Sequence, residues 1–401
     1  MYIPRTIENK IKELNKEFKV IVVTGARQVG KSTMLKHCAP SRTYISLGRP
    51  DIRMLANTEP ELFLQRYKAP VIIDEIQYAP VLLDYIKEIV DLSDERGLYW
   101  LTGSQPFHLM KNISETMAGR AAIVNMTGLS LSEKRIIPET NFEISEEYFN
   151  KKRKNTRLTI SEVFDYIFKG SFPEIYSGNI TDLEMYYSSY LQTYIERDIR
   201  ELTTIEDESA FVKFMRVIAA RTGQVVKYNQ LALETGVSQP TAKKWLSLLQ
   251  TSGLVYLLEP YYVNLTKRMT KMPKLYFCDT GLCAYLCGWT NPTVLEQGAM
   301  NGAFFETMVV IELLKNFLNQ GKRPPIFFYR DTEQKEIDVI IEANKKLVPI
   351  EIKLTASPNK SMVKNFAILS EDKYTKGAII CMVSEDYPVT PKVSAIPVGY
   401  L

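Results

Sequence analysis

The pattern of apolar and polar positions divides the chain into three stretches with different grammars. In the first, short apolar runs alternate with segments of helical period. Residues 20–23, 43–47, 70–74, 97–104 and 121–126 each read as a strand, and an amphipathic helix within 1–15 leads into the first of them. Val20-Ile21-Val22-Val23 is apolar and β-branched throughout, as a strand buried on both faces requires. Strands alternating with helices predict an α/β fold with an open parallel sheet and a ligand at the strands' carboxyl ends. In the second stretch, helices over 210–222, 229–235 and 239–250 flank a short segment at 224–228 and precede a strand at 253–258. Ser238 is placed to cap the third helix, and Pro240 sits in its first turn, where proline is tolerated. In the third stretch, a helix from 302 to about 318 is followed by strands at 326–329, 336–341 and 347–353, with a hairpin turn at 343–346. Residues 366–369 and 377–383 supply a closing helix and strand.

The chemistry concentrates where the first strand ends. Gly25-Ala26-Arg27-Gln28-Val29-Gly30-Lys31-Ser32 fits the phosphate-binding loop G-x-x-x-x-G-K-[ST] without mismatch, between a strand and a helix as that loop demands. Gly25 and Gly30 permit backbone conformations that turn successive N–H groups toward phosphate oxygens, and the following helix adds its positive end. Lys31 is assigned to the β and γ phosphates and Ser32 to Mg²⁺, with Thr33 as a neighbour in the same cradle. The strand at 70–74 ends in Asp74-Glu75, the acid pair expected downstream of such a loop. Asp74 would hold the Mg²⁺ shell and Glu75 would orient and deprotonate the attacking water. Thr102 and Ser104 either sense the γ-phosphate or form a plain polar turn. Arg120 is either an arginine finger, acting across an oligomer interface, or a surface arginine. The cofactors expected are ATP and Mg²⁺.

Bulk properties narrow the setting. A chain of 401 residues holds two to four domains. No apolar run is long enough to cross a bilayer, and residues 1–12 are too polar for a signal peptide, so no membrane partner and a cytoplasmic location are expected. The net charge of +4 permits a nucleic-acid partner without arguing for one. The trio Cys278, Cys283 and Cys287 matches no zinc spacing and reads as small apolar residues of a reducing compartment rather than a metal site. The basic run Lys151-Lys152-Arg153-Lys154 is either a nucleic-acid contact or part of a solvated linker spanning 141–159.

The stretches TGARQVGKST, VIIDEIQ, WLTGSQ and MAGRAA, in this order, resemble a bacterial and archaeal group of AAA-type ATPases in which a C-terminal domain of unknown function follows the ATPase. FKGSFPEIY, YLQTYIERDI and KLYFCDTGL also look like landmarks of that group, with Ser171 standing where the group usually carries glycine. The resemblance implies an ATPase domain over 1–135, a helical linker or lid over 136–205, a winged helix-turn-helix over 206–265 and a nuclease-like domain over 266–401. If the winged helix binds DNA, Gln239, Thr241, Lys243 and Lys244 lie on its recognition helix; otherwise the module packs domains together. In the last domain Glu351 and Lys353 share a strand face, Asp338 joins them across the hairpin, and Glu306 comes from the preceding helix. This set resembles the PD-(D/E)xK nuclease superfamily. The resemblance implies that Asp338 and Glu351 ligate Mg²⁺, that Lys353 steadies water or phosphate, and that Glu306 assists the metal shell. Three functions are open: an ATPase acting with or on DNA, a Mg²⁺-dependent DNA endonuclease regulated by ATP, and a nucleotide-dependent switch that cuts nothing.

Overall fold

The computed structural model describes residues 2–103, 117–154, 157–194, 207–262, 271–343, 346–369, 374 and 376–401. Ser104 and residues 195–206, which include the end of the expected helical linker, lie outside the described residues. The fold class is α/β. A five-stranded parallel sheet comes first, then a mainly helical region, then a mixed sheet.

The first sheet has the order β2-β3-β4-β1-β5, with β1 Val20–Thr24, β2 Thr43–Ser46, β3 Val71–Asp74, β4 Tyr99–Thr102 and β5 Ala121–Asn125. All five residues of β1 are buried. Side chains alternate in a strand, so the two faces feed two cores. Val20, Val22, Val71, Ile73 and Leu101 pack on one side. That side is covered by α3 Pro50–Thr58, α4 Pro60–Arg66 and α5 Leu82–Leu92, after α1 Ile7–Glu17 and α2 Lys31–Cys38. Ile21, Val23, Ile72, Trp100 and Val124 face the other way, into a core shared with the rest of the molecule.

After α6 Leu131–Lys134, the segment expected to be a solvated linker instead forms α7 Glu146–Lys152. Tyr148 and Phe149 are buried, and the Tyr148 hydroxyl donates to the Tyr400 carbonyl at 2.6 Å. Two adjacent aromatics exceed what a solvated helix can leave in water, so α7 docks. The basic run is dispersed by the same docking. Lys152 is buried, Lys151 pairs with Glu147 and Arg153 with Asp386, so a nucleic-acid contact there is not supported.

Helices α8 Ile160–Lys169, α9 Pro173–Tyr176 and α10 Leu183–Tyr194 come next. Then come α11 Glu208–Ala219, β6 Gln224–Val225, α12 Tyr228–Thr235, α13 Gln239–Thr251, β7 Val255–Leu258 and β8 Lys274–Phe277. The three strands form an antiparallel sheet in the order β6-β8-β7. An expected module boundary at 265/266 passes between two of these strands. Gly236 ends α12 at φ 78°, and the Ser238 hydroxyl accepts from the Thr241 N–H at 3.2 Å to start α13.

Helices α14 Thr280–Leu286, α15 Pro292–Gln297 and α16 Asn301–Leu318 lead into the last sheet. It contains β9 Ile326–Arg330, β10 Glu336–Ala343, β11 Lys346–Ile352, β12 Gly377–Cys381, β13 Tyr387–Thr390 and β14 Val393–Pro397, in the order β13-β14-β12-β11-β10-β9. β12 does not close it, because β14 pairs with β12 in parallel and β13 adds an edge. One face packs against α16, and the other against a 3₁₀ segment, Lys360–Ile368, where a helix was expected only at 366–369.

Candidate active site

Parallel pairing brings the chemistry together. Ser46 is in register with Asp74, Ile73 with Leu101, and Val23 with Thr102, so the carboxyl ends of four strands meet at one edge. The loop between Thr24 and α2 crosses this edge. Gly25 has φ 140°, and a Cβ there would collide with the Met126 carbonyl oxygen. Gly30 at φ 91° starts α2, and Gln28 at φ 59° takes the left-handed region between them. The Lys31 ammonium lies 2.9 Å from the Gly25 carbonyl and 2.7 Å from that of Ala26.

Asp74 is the hub. The Ser32 hydroxyl donates to its two oxygens at 2.9 and 3.0 Å, Thr102 donates at 2.7 Å, and Tyr44 donates as well. Burial first, then the bond to Asp74, raises the Tyr44 hydroxyl and keeps it a donor. Thr102 is fully buried behind Asp74, where its bond orients that carboxylate. Ser32 and Asp74 thus present a hydroxyl and a carboxylate in contact, hard oxygen donors that fit Mg²⁺. Glu75, at φ 58°, lines the same cleft, and Gln77 donates to it.

Arg120 is not brought to this site. The Val20 N–H donates to its carbonyl, at the amino end of β1 and β5, and its guanidinium pairs with Asp91. Strands 20–24 and 121–125 run parallel. A residue just before one and a loop just after the other therefore occupy opposite edges of the sheet.

The cleft, about 830 Å³, is walled by Arg27, Gln28, Gly30, Lys31, Ser32, Thr33 and Glu75 on one side. Pro173, Glu174 and Tyr186 wall the other, and the Tyr186 hydroxyl donates to Gln28 at 2.8 Å. Ala26 and Val29 turn inward, and Gly253, after α13, would place a Cβ 3.5 Å from Ala26. Two residues here escaped the sequence reasoning. Arg5, buried, donates to the carbonyls of Val29, Thr127 and Gly128 and pairs with Glu133, fixing the loop from beneath. Asp279 accepts from the Ser171 N–H at 2.6 Å and its hydroxyl at 2.7 Å. The Ser171 departure from glycine is accommodated by that second bond.

A second group of charged residues assembles in the last domain. Val339 is in register with Ile350, so Asp338 and Glu351 face each other one step further on. Lys353 reaches Glu351 at 2.7 Å and Asp338 at 3.4 Å, and the Ile352 N–H donates to Asp338 at 2.8 Å. Glu306 lies close by, 3.0 Å from the Lys274 ammonium and 2.6 Å from the Tyr276 hydroxyl. Burial, then the Asp338 charge, pushes the Glu351 carboxyl up to about 8. Burial also raises Glu306, with Lys274 acting against it. Neither Lys274 nor Tyr276 was singled out from sequence; a lysine two residues before a tyrosine in an otherwise apolar strand was the available signal. On α13, Gln239, Lys243 and Lys244 are exposed and Thr241 is half-buried.

Residues 17–134 match the family model of an AAA domain. Residues 160–293 and 301–401 match two domains of unknown function, DUF8612 and DUF4143. The first of these matches spans the parallel sheet and the Gly25–Ser32 loop described above. Over 383 residues the chain is 26% identical to the uncharacterised proteins Rv2008c of Mycobacterium tuberculosis and Mb2031c of Mycobacterium bovis, covering 94% of this chain and 80% of each relative. Among solved structures, the Walker-type ATPase PABY2304 of Pyrococcus abyssi is 15% identical with a TM-score of 0.40, covering 71% of this chain and 98% of its own. A signal-transduction ATPase with numerous domains, PH0952 of Pyrococcus horikoshii, is 12% identical with a TM-score of 0.24, covering 77% and 46%. No helix among the described residues is long and apolar enough to cross a membrane.

Proposed function

We propose that this chain is a Mg²⁺-dependent ATPase that acts with or on DNA. The observation that carries the ATPase reading is the Ser32–Asp74 contact at the mouth of the Gly25–Ser32 loop. In it, loop N–H groups and the amino end of α2 cradle the phosphates. Lys31, now on the Gly25 and Ala26 carbonyls, would turn to the β and γ oxygens, and Ser32 and Asp74 would hold Mg²⁺. The metal supplies charge neutralisation on those phosphates when bound. Glu75 orients the attacking water and takes its proton. The helix–strand–helix–helix–strand–strand order over residues 208–277 supports a winged helix, with exposed Lys243 and Lys244 available to a DNA backbone.

A second reading, an endonuclease regulated by ATP, is favoured by the convergence of Glu306, Asp338, Glu351 and Lys353. Their hard oxygens suit a divalent cation, which Asp338 and Glu351 would hold with Glu306 at the edge and Lys353 on water or phosphate. One experiment separates the readings: ATP hydrolysis and DNA cleavage measured side by side for the wild type, Lys31→Ala and Asp338→Ala. Loss of ATP turnover in Lys31→Ala by at least about 100-fold is expected; full turnover in that variant rules the site out. Cleavage lost in Asp338→Ala supports the second reading. No cleavage with any divalent metal leaves a DNA-directed ATPase, or a nucleotide-dependent switch if DNA does not stimulate turnover.

A further inference from the structure

The carboxylates of the last domain do not stand open. Among the described residues, no three histidines, cysteines or acids form a ready ligand set for a metal ion. The acids are taken up by the protein's own cations. Lys274 enters from β8 of the preceding three-stranded sheet, 2% exposed. Its ammonium lies 3.0 Å from Glu306 and 2.5 Å from Glu336. Lys353 holds Glu351 and Asp338, and Arg330 stands 3.5 Å from Glu336. One oxygen is left over: Oε2 of Glu351, in a residue only 6% exposed, has no hydrogen-bond partner. A buried carboxyl oxygen without a hydrogen-bond partner is costly and marks a position that another group satisfies.

Lys274 has a second neighbourhood. With Glu336 it also lines an open cleft of about 510 Å³, whose walls bring Arg221, Lys227, Lys271 and Arg330 together with Asp331. A lysine ammonium on a four-carbon stem can turn from one anion to another without moving its backbone.

We propose that Lys274 is a built-in counter-cation that closes the carboxylate site at rest, and that a nucleic-acid strand in the adjoining cleft draws it to a phosphate so that a divalent cation takes its place. The proposal rests on reading Glu306, Asp338 and Glu351 as a metal site. An ammonium and a divalent ion cannot both occupy the Glu306 oxygens, because like charges a few ångströms apart in a buried setting repel strongly. Metal and strand are then coupled through one side chain, and each tightens the other by the same factor. The site also becomes composite: without β8 docked on α16 and β10 it lacks its resting cation.

The test is Mn²⁺ binding to the full chain without nucleotide, with and without a phosphorothioate oligothymidylate, in the wild type, Lys274→Met, Lys274→Arg and Asp338→Asn. Asp338→Asn reports whatever Mn²⁺ binds elsewhere. The wild type should bind Mn²⁺ at the cluster at least ten-fold more tightly with the oligonucleotide than without it. Lys274→Met should bind that tightly unaided and gain nothing from the oligonucleotide, and Lys274→Arg, which keeps the charge, should stay as weak unaided as the wild type. If Lys274→Met binds no more tightly than the wild type while Asp338→Asn loses the ion, the metal site stands and the counter-cation is overturned. If no variant binds Mn²⁺ beyond what Asp338→Asn retains, the metal-site reading itself fails. Should Lys274→Met not fold, the wild-type response to the oligonucleotide decides alone, and its absence overturns the proposal.

Discussion

Asp74 accepts from Ser32, Tyr44 and Thr102, three hydroxyls on three different elements. Each holds one carboxylate in one orientation. Thr102→Val keeps the shape and removes a buried donor, which costs about 1–3 kcal/mol of local stability and loosens Asp74. A rise in the KM for Mg²⁺-ATP with little loss of fold, read by steady-state kinetics and circular dichroism, is the expected outcome; unchanged kinetics would show that Thr102 does not position Asp74. Glu351 makes a prediction of opposite sign. Its pKa in the fold is about 8, above the ordinary value of 4.5. Between those pH values the native state keeps a proton that the unfolded chain releases, so stability falls as pH rises through the window. Glu351→Gln removes that loss. In chelator at pH 8 its unfolding midpoint should exceed that of the wild type by about 1 °C, the shift that roughly 1 kcal/mol produces in a chain of this length. At pH 5 the difference should shrink, and an equal difference at both pH values contradicts the assignment.

At the scale of elements, α16 ties the two chemistries together. Glu306 near its start faces the carboxylate cluster, while Glu312 and Lys315 near its end, both buried, hold the segment after β5. Glu312 accepts from the Leu131 N–H at 2.7 Å, and Lys315 donates to the Leu129 carbonyl at 2.8 Å. Lys315→Met leaves Glu312 buried without its cation and should destabilise the chain by about 3–5 kcal/mol, seen as a lower thermal midpoint. Retention of the wild-type midpoint would show that the pair does not anchor the helix. The elements themselves divide by how local their cause is. β1, the phosphate loop and α2 were legible because an apolar run, two glycines and a lysine lie within a dozen positions. The cap at Ser238 was legible for the same reason. The docking of α7 was not, since Tyr400 lies 252 residues beyond Tyr148; β13 and β14 form a local hairpin, but Pro388, Pro391 and Pro397 interrupt the pattern that would mark them as strands. β8 read as part of the last domain because its pairing with β6 spans about 50 residues. The position of Arg120 could have been foreseen, since residues at the amino ends of parallel strands lie at the opposite sheet edge from loops at their carboxyl ends.

One core runs from the second face of the first sheet through α11 and α13 to α16 and one face of the last sheet. Within it, Gly253 abuts Ala26 of the phosphate loop. Filling that loop with nucleotide therefore changes the surroundings of the turn between α13 and β7. Hydrogen exchange at residues 250–256 should slow on adding Mg²⁺-ATP to Glu75→Gln, and exchange that is unaffected there would mean the module does not feel the nucleotide. The candidate site was legible down to Lys31, Ser32, Asp74 and Glu75. Tyr44, Arg5, Asp279 and Lys274 were not, because only the fold brings them to it. The most direct test of the ATPase mechanism is single-turnover phosphate release from Mg²⁺-ATP by the wild type and by Glu75→Gln, with nucleotide binding measured alongside. The variant is predicted to bind ATP as tightly as the wild type and release phosphate at least about 100-fold more slowly; equal release by the two proteins would contradict the role assigned to Glu75.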